Sequence, residues 1–169
     1  MTPVKILWHK LTPNATIPTK RAEDAGFDIY TTETDFLLQP HEKHLFKTGL
    51  AYWIDKEHWL MGADRGSTGS RGLHIHCGIC DQGYRGEIFI CISNDNDFPV
   101  HFSSSASSIA FKENPFPYER VLEYPTAKAI AQLIPMPLLS VESAEAGDEW
   151  EELCHDSERG ATKLGASGK

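Results

Sequence analysis

The chain has 169 residues, enough for one domain with a substantial core, and its 40% hydrophobic and 24% charged residues are the balance of an ordinary globular protein. No apolar run is long enough for a helical membrane span, and "MTPVKILWHK" lacks the apolar core of a signal peptide, so a cytoplasmic protein without a membrane partner is expected. The net charge of −8 is confined to residues 141–158, which hold eight acids and no Lys or Arg; the remaining 16 acids balance 16 bases. A nucleic-acid surface is not suggested, because the long basic stripe it would need is missing, whereas a small polyanion needs only a few Arg side chains and backbone N–H groups aimed at one spot.

In chain order, short runs rich in β-branched and aromatic residues predict strands at "VKILWH", "FDIYTT", "HLFKTGLAYWI", "HWLMGA", "EIFICIS", "PVHF" and "AIAQLIPM". Turn-forming stretches divide them: "TPNATIPT", "QPHE", "RGSTGSRG", "DQGYRG" and "NDNDFP". Many short strands with Gly/Pro turns predict an all-β sandwich, barrel or jelly roll. Residues 104–127 are Ser- and Pro-rich and read as an insertion or long loop within a domain spanning 1–139. Residues 140–169 read as an acidic linker, with a short helix over 140–152, followed by a mobile Gly/Ser-rich arm. Cys91, inside an apolar strand, reads as a core residue, and no disulfide framework is indicated.

Four stretches then stand in a telling order: "AGFDIYT" (25–31), "RGSTGSRGL" (65–73), "GICDQGYRGE" (78–87) and "AIAQLI" (129–134), followed by "RGATKLGASG" (159–168). This order resembles the five motifs of the trimeric dUTPase family. The resemblance implies a β jelly roll assembled as a homotrimer with sites between subunits. It also implies Mg2+-dependent hydrolysis of dUTP to dUMP and pyrophosphate, with a C-terminal arm closing the site.

It further implies roles for individual residues. Asp81 becomes the base that deprotonates the attacking water, although an Asp in this turn also suits plain turn capping. Tyr84 becomes the ring that packs on the deoxyribose and rejects a 2′-hydroxyl. Asp28 becomes the acid that holds Mg2+ through water. Arg65, Ser67, Thr68, Gln132 and Arg159 become phosphate ligands, with Gly78 beside the base and Gly165 and Ser167 wrapping the phosphate chain. Leu164 stands where the family places an aromatic over uracil, so apolar cover replaces stacking.

The segment "HIHCGIC" is shorter than the family pattern and lacks its Asn, which leaves base identity open between deoxyuridine and deoxycytidine nucleotides; a dCTP deaminase-like enzyme is the nearest alternative. His74, His76, Cys77 and Cys80 form a rival zinc-like cluster. A nucleotide-binding regulatory protein that engages a partner through 104–127 is the other alternative, with Phe116, Tyr118 and Tyr124 as anchors.

Overall fold

A computed structural model describes residues 3–76, 78–113 and 118–155. They divide into two units, the boundary falling between Leu138 and Leu139. The first unit is all-β, as the sequence predicts, and its strands are β1 (Ile6–Lys10), β2 (Phe27–Ile29), β3 (Phe36–Leu38), β4 (Lys43–Lys47), β5 (Leu50–Ile54), β6 (His58–Ala63), β7 (Leu73–His76), β8 (Ile79–Cys80), β9 (Phe89–Asn94), β10 (Val100–Ser103), β11 (Ala110–Glu113), β12 (Arg120–Pro125) and β13 (Ala131–Pro137). One short helix, α1 (Gly66–Gly69), follows β6.

Alternation builds the strands. In β5, Leu50, Tyr52 and Ile54 turn inward while Trp53 faces out, and in β9 Ile90 and Ile92 turn inward. Four small sheets share the resulting core: β1-β5, β11-β12-β10-β3, β2-β13-β6-β8 and β4-β9-β7. Phe46, Phe102 and Tyr124 lie fully buried at its centre, Phe46 against Phe102 at 4.5 Å and Phe102 against Tyr124 at 5.3 Å between ring centroids. Burying each such side chain contributes roughly 1.5–3 kcal/mol.

Two expectations change. The continuous run 44–54 is two strands, because the chain turns at Thr48 and Gly49 between β4 and β5. Residues 104–127 are not simply a loop: they contain β11 and β12, and β12 joins the core sheet as a parallel neighbour of β10. Tyr124 is therefore no surface anchor, since its ring is fully buried and its hydroxyl donates to the Ala129 carbonyl at 2.8 Å. Phe116 lies outside the described residues.

The second unit has a 3-10 turn at Gly147–Glu149 leading into α2 (Trp150–His155), later and shorter than the helix predicted over 140–152. Gly147, the first residue of that turn, sits at φ 56°, a conformation glycine adopts without steric cost. Among the described residues, no helix is long and apolar enough to cross a membrane.

Candidate active site

The sheet β2-β13-β6-β8 assembles the site. Its register places Asp28 of β2 opposite Gln132 of β13, and Gln132 opposite Ala63 at the end of β6. The turn after β6 therefore emerges beside Asp28, and Arg65 meets it. Arg65 donates from Nε to Asp28 Oδ1 at 2.8 Å and from Nη2 to Oδ2 at 3.0 Å, a two-pronged ion pair. Its Nη1 donates to Ser67 Oγ at 3.2 Å and to the Ala129 carbonyl at 3.4 Å. Ser67 Oγ in turn stands 3.4 Å from the buried Tyr124 hydroxyl.

These groups line a pocket of about 630 Å³, together with Thr19, Lys20, Arg21, Asp24, Gly26 and Lys128. Four cations against two carboxylates make the wall net positive, suited to a polyanion. The chain from Thr19 to Asp28 arches over it, closed at its base by the Asp28 N–H donating to the Thr19 carbonyl at 3.0 Å. Lys20 Nζ ties the arch by donating to the carbonyls of Arg21 and Asp24 at 3.1 and 2.8 Å, and Asp24 accepts from the Arg21 N–H at 3.0 Å. That backbone bond and the Arg21 charge hold the Asp24 carboxyl below its ordinary range. Lys20, Arg21, Asp24 and Lys128 were not singled out in the sequence; the charged string "TKRAED" before "AGFD" was the available signal.

Thr68 does something other than face the pocket. Its side chain is buried, and its hydroxyl accepts from the Arg65 N–H and bonds the Arg65 carbonyl, each at 3.0 Å, which closes the α1 turn. Gln132 lines the pocket with its amide fixed, Nε2 donating to the Asp64 carbonyl at 2.7 Å.

Asp81 and Tyr84 share a second location, the turn leaving β8. The Tyr84 N–H donates to the Asp81 carbonyl at 3.0 Å, and the Tyr52 hydroxyl donates to the same carbonyl at 2.5 Å. Burial, reinforced by the neighbouring Cys80 and Asp81, raises the Tyr52 phenol far above its ordinary value, so it remains a donor. Burial, with the Asp81 charge, pushes the Cys80 thiol up to about 11. The Asp81 side chain is exposed, and among the described residues its carboxylate accepts no hydrogen bond; the main chain, not this carboxylate, secures the turn. The Tyr84 ring is 43% exposed, with its hydroxyl on the Glu87 carbonyl at 2.7 Å. Gly78 meets β6, its carbonyl accepting from the Gly62 N–H at 2.5 Å.

The two locations are separate within one chain. Cys80 pairs with Leu60 while Gln132 pairs with Ala63, so Asp81 and Gln132 lie about 14 Å apart along β6, on its opposite sides.

Of the zinc-like cluster, His74 is engaged by Asp64, its Nδ1 2.9 Å from Oδ2, and Cys77 lies outside the described residues. No group of three metal-ligating side chains occurs among the described residues. Arg159, Leu164, Gly165 and Ser167 also lie outside them.

The comparisons with known proteins agree with this arrangement. The profile of the dUTPase family matches residues 13–105. The deoxyuridine 5′-triphosphate nucleotidohydrolase of Nautilia profundicola is 30% identical over 170 residues, covering 98% of this chain and all of that one. A stretch of the Pol polyprotein of Ovine maedi visna related virus is 28% identical over 149 residues. The chain spans 11% of that polyprotein's length and 7% of the Pol polyprotein of Caprine arthritis encephalitis virus. Among solved structures, the Staphylococcus bacteriophage 80alpha dUTPase with dUPNHPP superposes with a TM-score of 0.74 at 26% identity over the full length of both chains.

The chain is all-β and jelly-roll-like, with a cation-rimmed polar pocket lined in part by the paired Asp28 and Arg65. This chain belongs to the dUTPase family.

Proposed function

We propose that this chain hydrolyses dUTP to dUMP and pyrophosphate. The observation that supports it best is the convergence of Asp28, Arg65, Ser67 and Gln132 on one cationic pocket, in a chain that also presents an unengaged Asp81 carboxylate beside Tyr84. In this reading the triphosphate lies against Arg65, Ser67, Gln132 and Lys128. Asp81 takes a proton from a water whose oxygen bonds to the α-phosphorus. The bond from that phosphorus to the oxygen bridging to the β-phosphate breaks, and pyrophosphate leaves with the electron pair. The Tyr84 ring covers the deoxyribose and leaves no space for a 2′-hydroxyl.

The residues suit hydrated Mg2+ rather than an all-protein metal cage. Each Asp28 oxygen accepts one N–H from Arg65 and keeps a lone pair, so Asp28 would hold the hydrated ion through water while triphosphate oxygens would supply its direct ligands. Bound there, Mg2+ supplies charge neutralisation for the leaving pyrophosphate.

The separation of Asp81 from Gln132, about 14 Å along β6, supports assembly as a homotrimer, with Asp81 and Tyr84 of one copy reaching the pocket of another. We extend the reading to Arg159, Leu164, Gly165 and Ser167 as a closing arm on their sequence positions alone. A protein partner on the β11–β12 hairpin is a separate, compatible role. Phe111 is half exposed there, and Arg120 lies 4.5 Å from its ring centroid and 4.7 Å from that of Phe98.

A panel of deoxynucleoside triphosphates with Mg2+ tests the reading. Pyrophosphate and dUMP from dUTP alone are expected. Release of ammonia from dCTP would instead favour the deaminase alternative. In Asp81→Asn, turnover should fall by roughly 100-fold or more with nucleotide affinity retained; unchanged turnover overturns the assignment of the base.

A further inference from the structure

Asp64 is a charged residue at the centre of a junction that the proposed reaction does not yet use. It sits between Ala63, the register partner of Gln132, and Arg65. Its two carboxylate oxygens reach β7: Oδ1 accepts from the Ile75 N–H at 2.7 Å, and Oδ2 stands 2.9 Å from His74 Nδ1. Its carbonyl accepts from Gln132 Nε2 at 2.7 Å. One residue thus binds β7 with its side chain and a pocket amide with its main chain, immediately before the arginine that meets Asp28. The other His74 nitrogen lies 3.9 Å from Asp95 Oδ2, so the histidine is bracketed by two acids.

We propose that Asp64, held by His74 and the Ile75 N–H, is a positioning residue that orients Gln132 for the triphosphate. Two geometric facts carry this. First, the Gln132 amide is oriented by the Asp64 carbonyl: with Nε2 committed there, Oε1 points toward Gly26, where an added Cβ would come within 2.9 Å of it. One N–H of Nε2 is left for an anionic oxygen in the pocket. Second, the carboxylate ties Asp64 to β7 through the Ile75 N–H and His74. Without it, Asp64 loses both bonds to β7, its carbonyl is free to shift, and the Gln132 amide shifts with it. A displacement of about 1 Å at such groups is enough to lower catalytic efficiency greatly.

The proposal rests on the dUTP hydrolase reading, and its test separates the two. Steady-state kinetics on dUTP would be measured for the wild-type chain, Asp64→Ala, Gln132→Ala and the double variant, alongside their thermal midpoints. Wild-type hydrolysis must be seen first; its absence defeats the underlying reading and this proposal with it. Given that activity, Asp64→Ala should raise the KM for dUTP about tenfold, and by less than about twofold when Gln132 is already Ala, because contacting residues are not additive. Asp64→Asn, which keeps an acceptor for the Ile75 N–H, should recover part of the loss. Equal effects of Asp64→Ala in both backgrounds, or a lower thermal midpoint with KM unchanged, would overturn the positioning role. Should Asp64→Ala fail to fold, His74→Ala replaces it, with a KM increase of about threefold that vanishes in the Gln132→Ala background; an unchanged KM in that variant overturns the proposal.

Discussion

Arg65 grips both carboxylate oxygens of Asp28, at 2.8 and 3.0 Å, although the two residues are 37 positions apart in sequence. About a third of each side chain remains exposed, so solvent screens the pair and its contribution to stability is modest. Its value is directional: the planar fork sets Nη1 toward Ser67. Arg65→Lys keeps the charge and loses the fork. We expect the thermal midpoint to change little and kcat/KM for dUTP to fall by roughly 100-fold. Activity within about twofold of wild type would show that charge alone suffices.

Tyr84 lies against Gly86, where an added Cβ would stand 2.7 Å from the phenol oxygen and 2.9 Å from Cζ. The ring, 43% exposed, gives way before the backbone does. Gly86→Ala should therefore displace the ring and leave the fold intact. The expected readout is a selectivity ratio: kcat/KM for dUTP over UTP should drop by about tenfold as the ribose gains room. A ratio equal to wild type would separate Tyr84 from sugar discrimination.

Lys128 lines the pocket, and among the described residues its ammonium has no carboxylate partner. An unpaired cation at a polyanion site strengthens binding through charge count. In Lys128→Ala the KM for dUTP should rise by roughly fivefold, the loss of affinity for dUMP should be smaller, and the difference should shrink in high salt. Calorimetric titration with both nucleotides at two ionic strengths checks it.

Glu123 is 5% exposed, pinned between His101 Nδ1 at 2.9 Å and Lys112 Nζ at 3.3 Å. Burial acts to raise its carboxyl, but the bonds and charges of His101 and Lys112 outweigh it and hold the group below its ordinary 4.5. A carboxyl depressed in the folded state contributes stability that is complete above the unfolded value and is lost as pH falls through the folded one. The thermal midpoint of the wild type should thus fall below pH 4.5 more steeply than that of Glu123→Gln, while at pH 7 the variant should be the less stable. Parallel curves for the two proteins would remove Glu123 from the acid response.

Short runs rich in apolar residues between turn signals were legible in the sequence: "HWLMGA" is β6 residue for residue. β11 and β12 were not. Every side chain of β11 is exposed, so it carries no alternating pattern, and β12 is stabilised by a parallel partner that its local sequence does not reveal. At the site, Asp28, Arg65 and Gln132 were found through motif order, and their proximity follows from the register of β2, β13 and β6. Thr68 was misplaced because a hydroxyl that closes a turn and one that faces a ligand look alike in a Ser/Thr-rich string. Asp64 and Lys128 escaped notice because their significance comes from neighbours far along the chain.

The distance along β6 between the cationic pocket and Asp81 bears on inheritance as well as chemistry. When centres are shared between copies, a defect in the pocket and a defect in the base need not spoil the same centre. Mixing Arg65→Lys chains with Asp81→Asn chains, each nearly inert alone, should then restore turnover as hybrids form. Two crippled alleles would then rescue one another, and a single one would remove no more centres than it has copies.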